Sequence, residues 1–489
     1  FDASYSTYGG NDASDNSGVL KYVSIRHGGA VIGEGNEING LTLGGVGNGT
    51  VIENIEVFAN SDDGIEFFGG SVNARYLSVA FCGDDSFDFD EGYNGHLQFL
   101  LSLQDENSNR AIEWDGSTES NERAASTTSL PAWSAPVISN MTAIGIGKDG
   151  TSSHDDDNVG MEIRDNGAGQ VWNSIFTEFA KSILDISNSA GETDDDGNLK
   201  DKGTLNDATG NKGSQAMLEL GNLAFKGNIF WNGGKGNTAL GAAEDDQIVS
   251  DIVFATDNNN SYDVDPLLVD DLVADGVVAP FPATGSPTLS GAETLGSTSF
   301  LTQTSFRGAF SSTLNWLDGW TVVDSSGLTA DLVVSSATGT QTITSNITTD
   351  TTWSAGTDYI LADYIFVTNG ATLTIEPGVT VKANQGTGAA APALIVTQGA
   401  KINAAGTSSA PIVFTSVTDT GSLTKDDKGL WGGLIILGKA PINSNGSATD
   451  NDPLTNQIEG VPTTSGISGE VFDASYSTYG GNDASDNSG

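Results

Sequence analysis

A four-residue phrase recurs along the first half of the chain, and its spacing restricts the folds that the chain can adopt. Each copy reads small, apolar, acidic, apolar, and the copies lie at residues 64–67, 86–89, 111–114 and 160–163. From one copy to the next, the phrase advances by about 22 to 25 residues or about twice that, a period typical of one turn in a repeat protein. The period therefore predicts a stack of short, similar coils.

A second column of apolar phrases lies between these copies and has the same period. It comprises residues 55–57, 77–79, 101–103, 141–143 and 175–177. Two columns of short strands that climb in parallel predict an all-β fold, a single-stranded parallel β-helix with irregular loops. We expect it to be right-handed because parallel crossovers almost always are. Strand residues alternate, so Ile65 and Phe67 should face the core and Glu66 should face outward.

The second half of the chain repeats this pattern with shorter coils. Apolar runs at residues 364–381, 394–414 and 434–437 are separated by turn residues, and no long amphipathic helix is visible. Asn-Gly pairs fall between runs throughout the chain, and both residue types tolerate the left-handed backbone that corners require. These pairs begin at Asn39, Asn48, Asn94, Asn166, Asn232, Asn369 and Asn445.

Residues 270–330 break the pattern with several prolines and an aromatic cluster. Because a stack of coils must cover its ends, we interpret this stretch as a cap. The predicted divisions are a β-helix body at 1–270, a C-terminal cap or junction at 271–327, the N-terminal coils of a β-helix unit at 328–471, and a repeated segment at 472–489.

The repeated segment is residues 1–18, which recur letter for letter as residues 472–489. We interpret the chain as one period of a repeating array, built either from covalent tandem copies or from subunits stacked head to tail. An end-to-end contact that does not close gives an open filament, and the unpaired edges of a β-helix suit such a contact. The partner that we expect is the protein itself. The expected assembly residues are Phe306, Phe310, Trp316, Trp320 and Ile375.

The charge of the chain excludes several classes of partner. Its 64 acidic and 19 basic residues give a formal net charge of −45, which repels nucleic acid and attracts divalent cations. No stretch approaches the ~20 apolar residues of a membrane span. The single cysteine, Cys82, excludes an internal disulfide framework and lies in an apolar run. This acidic, cysteine-poor, β-rich composition is typical of secreted bacterial proteins, so we expect an extracellular or cell-surface location.

Several phrases resemble those of the secreted parallel β-helix surface proteins of the Bacteroidota. They lie at residues 61–70, 83–93, 306–320, 371–381, 399–416 and 431–443. In that family, the phrase at 371–381 would come first and the phrase at 306–320 last. The resemblance therefore implies a natural unit that starts near Leu328 and ends near Asp324. Asp350-Thr351-Thr352 also resembles the O-glycosylation signal of this phylum, which makes Thr351 a candidate sugar site.

The acids of the recurring phrase are the sharpest candidate site: Glu66, Asp88, Glu113 and Glu162. Stacked coils would place them about 4.8 Å apart, where like charges repel by roughly 1 kcal/mol even in water. Bound cations, the neighbouring Arg110 and Arg164, or raised pKa values must relieve this repulsion. The alternatives are a solvated acidic face, calcium bound at Glu66, Asp88 and Glu113, and a catalytic cleft.

A second calcium candidate is an acidic loop. Glu192, Asp194 and Asp196 place oxygen ligands at alternate positions before Gly197, as in the first half of a calcium-binding loop. The acid expected at the twelfth position is replaced by Gly203.

A polysaccharide-active enzyme is the alternative to a structural role. Hydrolases of the polygalacturonase type cleave glycans with clustered carboxylates, and Asp63, Asp85 and Asp88 are the candidates here. Their Arg-x-Lys element is not found beside these residues, and His96 is not part of a Gly-His-Gly. A lyase would need a base near acid-bound calcium, and a glycan-binding adhesin is a third possibility. We expect a structural subunit of a filament or surface array, without enzyme activity.

Overall fold

The computed structural model describes residues 5–32, 37–116, 133–153, 158–188, 206–207, 210–211, 213–270, 279–296, 299–324, 327–328, 337–443, 455–458 and 461. Within these ranges the regular structure is mostly β-strand, and the strands of the two large sheets all pair in parallel. The predicted all-β parallel β-helix fold is confirmed.

The first strands supply most of the coils. They are β1 (Thr7–Tyr8), β2 (Gly18–Arg26), β3 (Leu41–Gly44), β4 (Val51–Phe58), β5 (Ile65–Phe68), β6 (Ala74–Ala80), β7 (Phe87–Asp90), β8 (His96–Leu103), β9 (Arg110–Asp115), β10 (Val137–Ile144), β11 (Val159–Arg164), β12 (Gly169–Trp172), β13 (Ile175–Thr177) and β14 (Leu184–Ile186). Shorter elements follow: β15 (Asn206–Asp207), β16 (Gly210–Asn211), α1 (Gly213–Glu219), β17 (Leu223–Lys226), β18 (Ile229–Trp231), α2 (Ala239–Ala242), α3 (Gln247–Val253), β19 (Leu268–Asp270), β20 (Ala279–Pro282), β21 (Val323–Asp324) and β22 (Gly327–Leu328).

The last strands form the shorter coils of the second half. They are β23 (Gly339–Ile343), β24 (Thr351–Trp353), β25 (Thr357–Leu361), β26 (Ile365–Val367), β27 (Thr372–Ile375), β28 (Thr380–Ala383), β29 (Leu394–Val396), β30 (Lys401–Ala405), β31 (Ile412–Ser416), β32 (Leu434–Leu437) and β33 (Asn456–Gln457). Three-residue 3-10 helices lie at Thr256–Asn258, Pro287–Leu289 and Gly388–Ala390.

The strands stack in three rows. Long strands such as β2 serve two rows, because residues 18–21 pair with β30 and residues 23–25 pair with β31. The third row is a nine-stranded sheet in the order β14-β11-β9-β7-β5-β3-β32-β29-β26. One continuous apolar core lies between the rows and includes Ile25, Phe67, Trp114, Ile163 and Leu373.

Strands from the two ends of the sequence meet in the middle of the stack. β2 pairs with β4 on one side and with β30 and β31 on the other, while β3 pairs with β5 and with β32. We call this contact the joint. At its edge, Gly18 has a φ of +121°, and a Cβ there would lie 1.8 Å from the carbonyl oxygen of Ile402. Only glycine fits this approach. Residues 339–437 therefore stack directly against the coil of residues 18–44 in the same chain.

A column of left-handed residues bends the long strands at one corner of the coils. Its members are Tyr22, Asn54, Tyr76, Phe99 and Asn140, all with positive φ and all at adjoining positions of β2, β4, β6, β8 and β10. Bulky residues rarely adopt this backbone. Of the expected Asn-Gly corners, Asn166, Asn232 and Asn369 also have positive φ.

Short helices, which the sequence pattern did not reveal, cover one end of the stack. Met217 and Leu218 of α1, with Val249 and Val253 of α3, are buried in the main core. These two helices contact β17, the last strand of its row. No described helix is long and apolar enough to cross a membrane.

The aromatic segment lies along the side of the stack rather than over an end. We call residues 299–323 the strap. The strap begins beside β8, where the Thr302 N–H donates to Gln98 Oε1 at 2.7 Å. It ends beside β2, where the Trp320 ring meets Tyr22 edge to face at 5.5 Å. The expected cap residues thus pack against the left-handed corner column, whose aromatic side chains point outward.

Candidate functional site

One outward-facing position of the nine-stranded sheet carries an acid in successive strands. The residues paired from coil to coil are Glu66, Asp88, Glu113, Glu162 and Asp185, and we call them the carboxylate ladder. Ile65 and Phe67 flank Glu66 and belong to the core, so the ladder points away from the core. The structure thus brings together the four acids that the recurring phrase singled out.

Four rungs of the ladder are buried, although the sequence allowed a solvated face, whereas Asp185 is half-buried. Glu66 and Asp88 are each 2% exposed, and Glu113 is 1% exposed. Burial of a carboxylate is costly unless a cation, a proton or hydrogen bonds compensate for the lost water. The site must therefore contain its own charge compensation.

The same sheet face continues from β5 to β3, β32, β29 and β26, which we call the lower part. Segments that are distant in sequence cover it. Next to Glu66 the ladder position holds Thr42, and the positions beyond it are apolar: Ile435, Ile395 and Phe366. These three apolar residues form an outer cluster with Tyr8, Ile38 and Ile442. Side chains from both ends of the sequence thus cover the face from which the ladder projects.

Arg110 neutralises the upper part of the ladder, which comprises Glu113 and Glu162. Its Nε contacts Glu162, and its Nη1 lies 3.5 Å from both Asp85 and Glu113. Burial alone would lower the pKa of Arg110, but the carboxylates of Glu113, Glu162 and Asp85 raise it well above its usual value. A guanidinium held in this way is a fixed cation and a poor base.

Arg164 extends this network outward. Its Nη2 lies 2.6 Å from Glu113 Oε1, and its Nε donates to Asp115 Oδ1 at 2.6 Å. Glu113 is therefore shared by two arginines. The predicted relief by Arg110 and Arg164 is thus present at the upper rungs.

Five buried carboxylates lie beside and below these arginines, and we call them the lower cluster: Asp62, Asp63, Glu66, Asp84 and Asp88. Oxygen atoms of Asp63, Glu66 and Asp88 all lie within 4.8 Å of one another. The same holds for oxygen atoms of Asp62, Asp63 and Asp84. Asp63 belongs to both groups, so the lower cluster is a single continuous concentration of acid.

Backbone turns hold the lower cluster in place. Asp62-Asp63 and Asp84-Asp85 occupy equivalent turns before β5 and β7. The Asp85 N–H donates to Asp63 Oδ1 at 2.8 Å, linking the two turns. Asn60 Nδ2 donates to the carbonyl oxygen of Asp63 at 2.8 Å, and Asn39 Nδ2 donates to Glu66 Oε2. The coil period places the two acidic pairs one above the other, and these hydrogen bonds fix their positions.

The electrostatic surroundings of Asp63 and Asp88 are unfavourable for bare carboxylates. Burial, followed by the carboxylates of Asp62, Asp84 and Glu113, raises the pKa of Asp63 well above its usual value. Burial and the carboxylates of Glu113 and Asp63 do the same to the pKa of Asp88. Without a bound cation, these groups hold protons far more readily than exposed aspartates do.

The structure places His96 and Thr351 in other rows than the ladder. His96 begins β8, in another row, and its Nδ1 lies 3.1 Å from Asn73 Oδ1. Thr351 lies in β24, where its hydroxyl donates to the Thr349 carbonyl at 2.8 Å. Glu192, Asp194 and Asp196 lie outside the described residues.

The predicted assembly residues are largely buried within the chain. Phe310, Trp316 and Trp320 of the strap belong to an apolar cluster on the side of the stack, and Phe306 packs against that cluster. Ile375 is buried in β27, between β24 and β30. Ile375 therefore lies inside the C-terminal coils rather than at the joint.

Sequence reasoning missed Glu91, a buried acid that accepts hydrogen bonds from residues near both ends of the sequence. Its Oε2 accepts from the Tyr8 hydroxyl at 2.7 Å, and its Oε1 accepts from Asn456 Nδ2 at 3.1 Å. Its backbone carbonyl accepts from the Asn443 N–H at 2.7 Å. These partners are so distant in sequence that no local pattern signals them.

Comparison with known proteins gives a family assignment. Neither the curated proteins nor the solved structures contained a match to the chain. The model of the pectate-lyase-like beta helix domain matches residues 2–217 and 345–489. These two stretches contain most of the strands that the joint brings into one stack. The match covers well over half of the chain, which therefore belongs to the family of pectate-lyase-like β-helix domains.

Proposed function

We propose that the protein is a structural subunit of an extracellular filament or surface array, in which β-helical rods meet head to tail. The observation that carries this proposal is the joint, where the coil of residues 18–44 is completed by strands from the other end of the sequence. The net charge of −45 and the buried single cysteine support an extracellular setting.

The joint can form equally well between two chains. Its pairs, such as Gly18 with Ile402 and Val23 with Ile412, are parallel strand contacts. Exchange of an identical element between copies keeps every contact and is a low-cost route to assembly. When each chain donates its C-terminal coils to one neighbour and accepts those of another, the exchange stays open and gives a filament, whereas reciprocal exchange between two chains would close into a dimer.

The repeated segment supports this exchange. Near the joint, the Gly9 N–H donates to the carbonyl of Gly438, and the Ser71 hydroxyl donates to the carbonyl of Ala13 at 2.7 Å. Residues 472–489 have the same sequence as residues 1–18, so a second copy offers the same groups to the same partners. In a chain with two copies, one copy can occupy the groove beside Gly438 and Ser71 of its own chain. The other copy can occupy the same groove of a neighbouring chain.

The carboxylates offered for catalysis support a structural role better than a catalytic one. Asp63, Asp85 and Asp88 are all buried, whereas a catalytic acid must contact the glycosidic oxygen. Asp85 lies beside Arg110 and its Oδ1 accepts from the Arg110 N–H at 2.6 Å. In this arrangement the acids and arginines hold neighbouring coils together.

The test is electron microscopy of the full chain over a range of concentrations, with a synthetic peptide of residues 1–18 as a competitor. We expect unbranched rods that lengthen as the protein concentration rises. The rods should shorten when the peptide binds in place of residues 1–18. A scrambled peptide of the same composition is the matched control and should have no effect. Monodisperse particles at every concentration, or rods indifferent to the peptide, would overturn the proposal.

A glycan-active enzyme is the second candidate, favoured by the family match and by the proximity of carboxylates to arginines. Its test is the release of reducing ends or unsaturated sugars from neutral and acidic polysaccharides. Under this alternative, Asp63→Asn and Asp85→Asn should abolish release, with the exposed Asn403→Asp as a control. The structural proposal predicts no release by the unmodified chain.

A further inference from the structure

We propose that Asp63, Glu66 and Asp88 bind a divalent cation, which we identify by its ligand chemistry as calcium. This site lies between the coils of β5 and β7. It is independent of assembly, because all three ligands come from one chain. The ion would connect consecutive coils next to Glu113, the rung of the carboxylate ladder that Arg110 and Arg164 contact.

The spacing of the oxygens fits calcium. Oxygen atoms of the three side chains lie within 4.8 Å of one another. Calcium binds oxygen at about 2.3–2.6 Å, so two of its ligands can be up to about 5 Å apart. Magnesium demands near-ideal octahedral geometry at about 2.0–2.1 Å and usually keeps several waters, so a buried cluster of three carboxylates suits the larger and more tolerant calcium ion better. An all-oxygen ligand set excludes a preference for softer metals.

An unsatisfied oxygen atom points to a ligand at this position. Asp88 is 2% exposed, and its Oδ1 has no hydrogen-bond partner among the described residues. A buried carboxylate oxygen without a partner is destabilising. Asp88 lies between Glu66 and Glu113 in the ladder, so a cation beside Glu66 and Asp63 would satisfy this oxygen.

The surrounding charge favours a cation at the same place. Arg110 and Arg164 contact four other acids: Asp85, Glu113, Asp115 and Glu162. The charge of the two arginines is therefore already compensated by these four carboxylates. Asp62 and Asp84 lie on the other side of Asp63 and add to the negative potential. A buried excess of negative charge attracts a divalent ion strongly, because the low-dielectric surroundings do not screen it.

The test is calorimetric titration of the chelator-treated full chain with calcium chloride, and separately with magnesium chloride. We expect calcium to bind and to raise the unfolding temperature, because a ligand that binds only the folded state stabilises it. We expect magnesium to bind at least tenfold more weakly. Absence of calcium binding and of a thermal shift would overturn the proposal.

Asp88→Asn should weaken calcium binding at least tenfold, because it removes the ligand charge while keeping the shape. Asp185→Asn is the matched control, since it removes the same charge from the last rung of the same ladder. Circular dichroism establishes that each variant is folded. Should Asp88→Asn fail to fold, Glu66→Gln provides the same comparison. Wild-type affinity in a folded Asp88→Asn or Glu66→Gln variant would show that the ion binds elsewhere.

Discussion

Val23, near the start of the chain, pairs with Ile412, near its end, in one parallel ladder. Both side chains are buried in the main apolar core. The core of the β-helix therefore continues across the joint without a break. The stability of the rod should depend on this contact as much as on any contact within either half.

We expect Ile412→Asp to destabilise the whole rod. The substitution places a charge in the core at the joint, and an unpaired buried charge is among the few changes that cost about 4 kcal/mol or more. Asn403→Asp introduces the same charge on the exposed face of neighbouring β30 and should change stability by less than about 0.5 kcal/mol. Denaturant unfolding measures both, and equal effects would contradict the structural role of the joint.

We expect Trp320→Ala to release the strap from the side of the stack. Trp320 is buried, its ring packs on Tyr22, and its Nε1 donates to the Trp316 carbonyl at 2.6 Å. Loss of such a side chain costs about 3–5 kcal/mol. Hydrogen exchange should accelerate in residues 316–323, where the Val322 N–H donates to Glu56 Oε1 at 2.6 Å. Exposed Ser312→Ala is the control, and unchanged exchange in Trp320→Ala would refute this role.

Cys82 should be unreactive in the folded protein. It is 1% exposed, and burial raises the pKa of its thiol to about 12. Since the thiolate is the reactive form, a thiol reagent at pH 8 should label the native chain orders of magnitude more slowly than the denatured chain. Rapid labelling of the native chain would mean that the coil of β6 opens readily.

Mild acid should destabilise the folded chain through the buried His27. His27 Nδ1 lies 2.7 Å from the Asp427 carbonyl oxygen. Burial lowers the pKa of His27, partly offset by that hydrogen bond and by Asp419. The folded state therefore binds fewer protons than the unfolded state, and its stability falls as the pH drops through about 6.5 toward the lower folded pKa.

Comparison with His27→Gln isolates this effect from the other titrating groups. The stability of the unmodified chain relative to the variant should decrease between pH 7.5 and pH 5.5, measured by denaturant unfolding. A difference that does not change with pH would show that His27 does not titrate as proposed.

The ladder was predictable because strand alternation and a steady coil period are local properties of the sequence. They placed Glu66, Asp88 and Glu113 on one face without knowledge of the fold. Burial of that face was not predictable, because the segments that cover it are distant in sequence: Tyr8 and Ile442, from opposite ends of the chain, pack in one cluster with Phe68 of β5.

Two other features were missed for physical reasons. Corner residues such as Tyr76 and Phe99 adopt a left-handed backbone that residue preferences assign to glycine and asparagine. Packing against the strap stabilises them, with Tyr76 meeting Trp316 at 5.7 Å, and tertiary contacts of this kind leave no local signature. The helices of the end cap are at most seven residues long in the described structure, too short to produce a clear helical period.

The central claim is that the C-terminal coils stack against the N-terminal coils at the joint. It is tested most directly by linking Val19→Cys of β2 to Asn403→Cys of β30, using a short thiol cross-linker. These two residues are paired across the joint, neither is buried, and buried Cys82 should not compete. With dilute mixtures of isotopically labelled and unlabelled chains, the account predicts a cross-link within single chains, and between chains once rods form. Failure to cross-link in either state would contradict the joint.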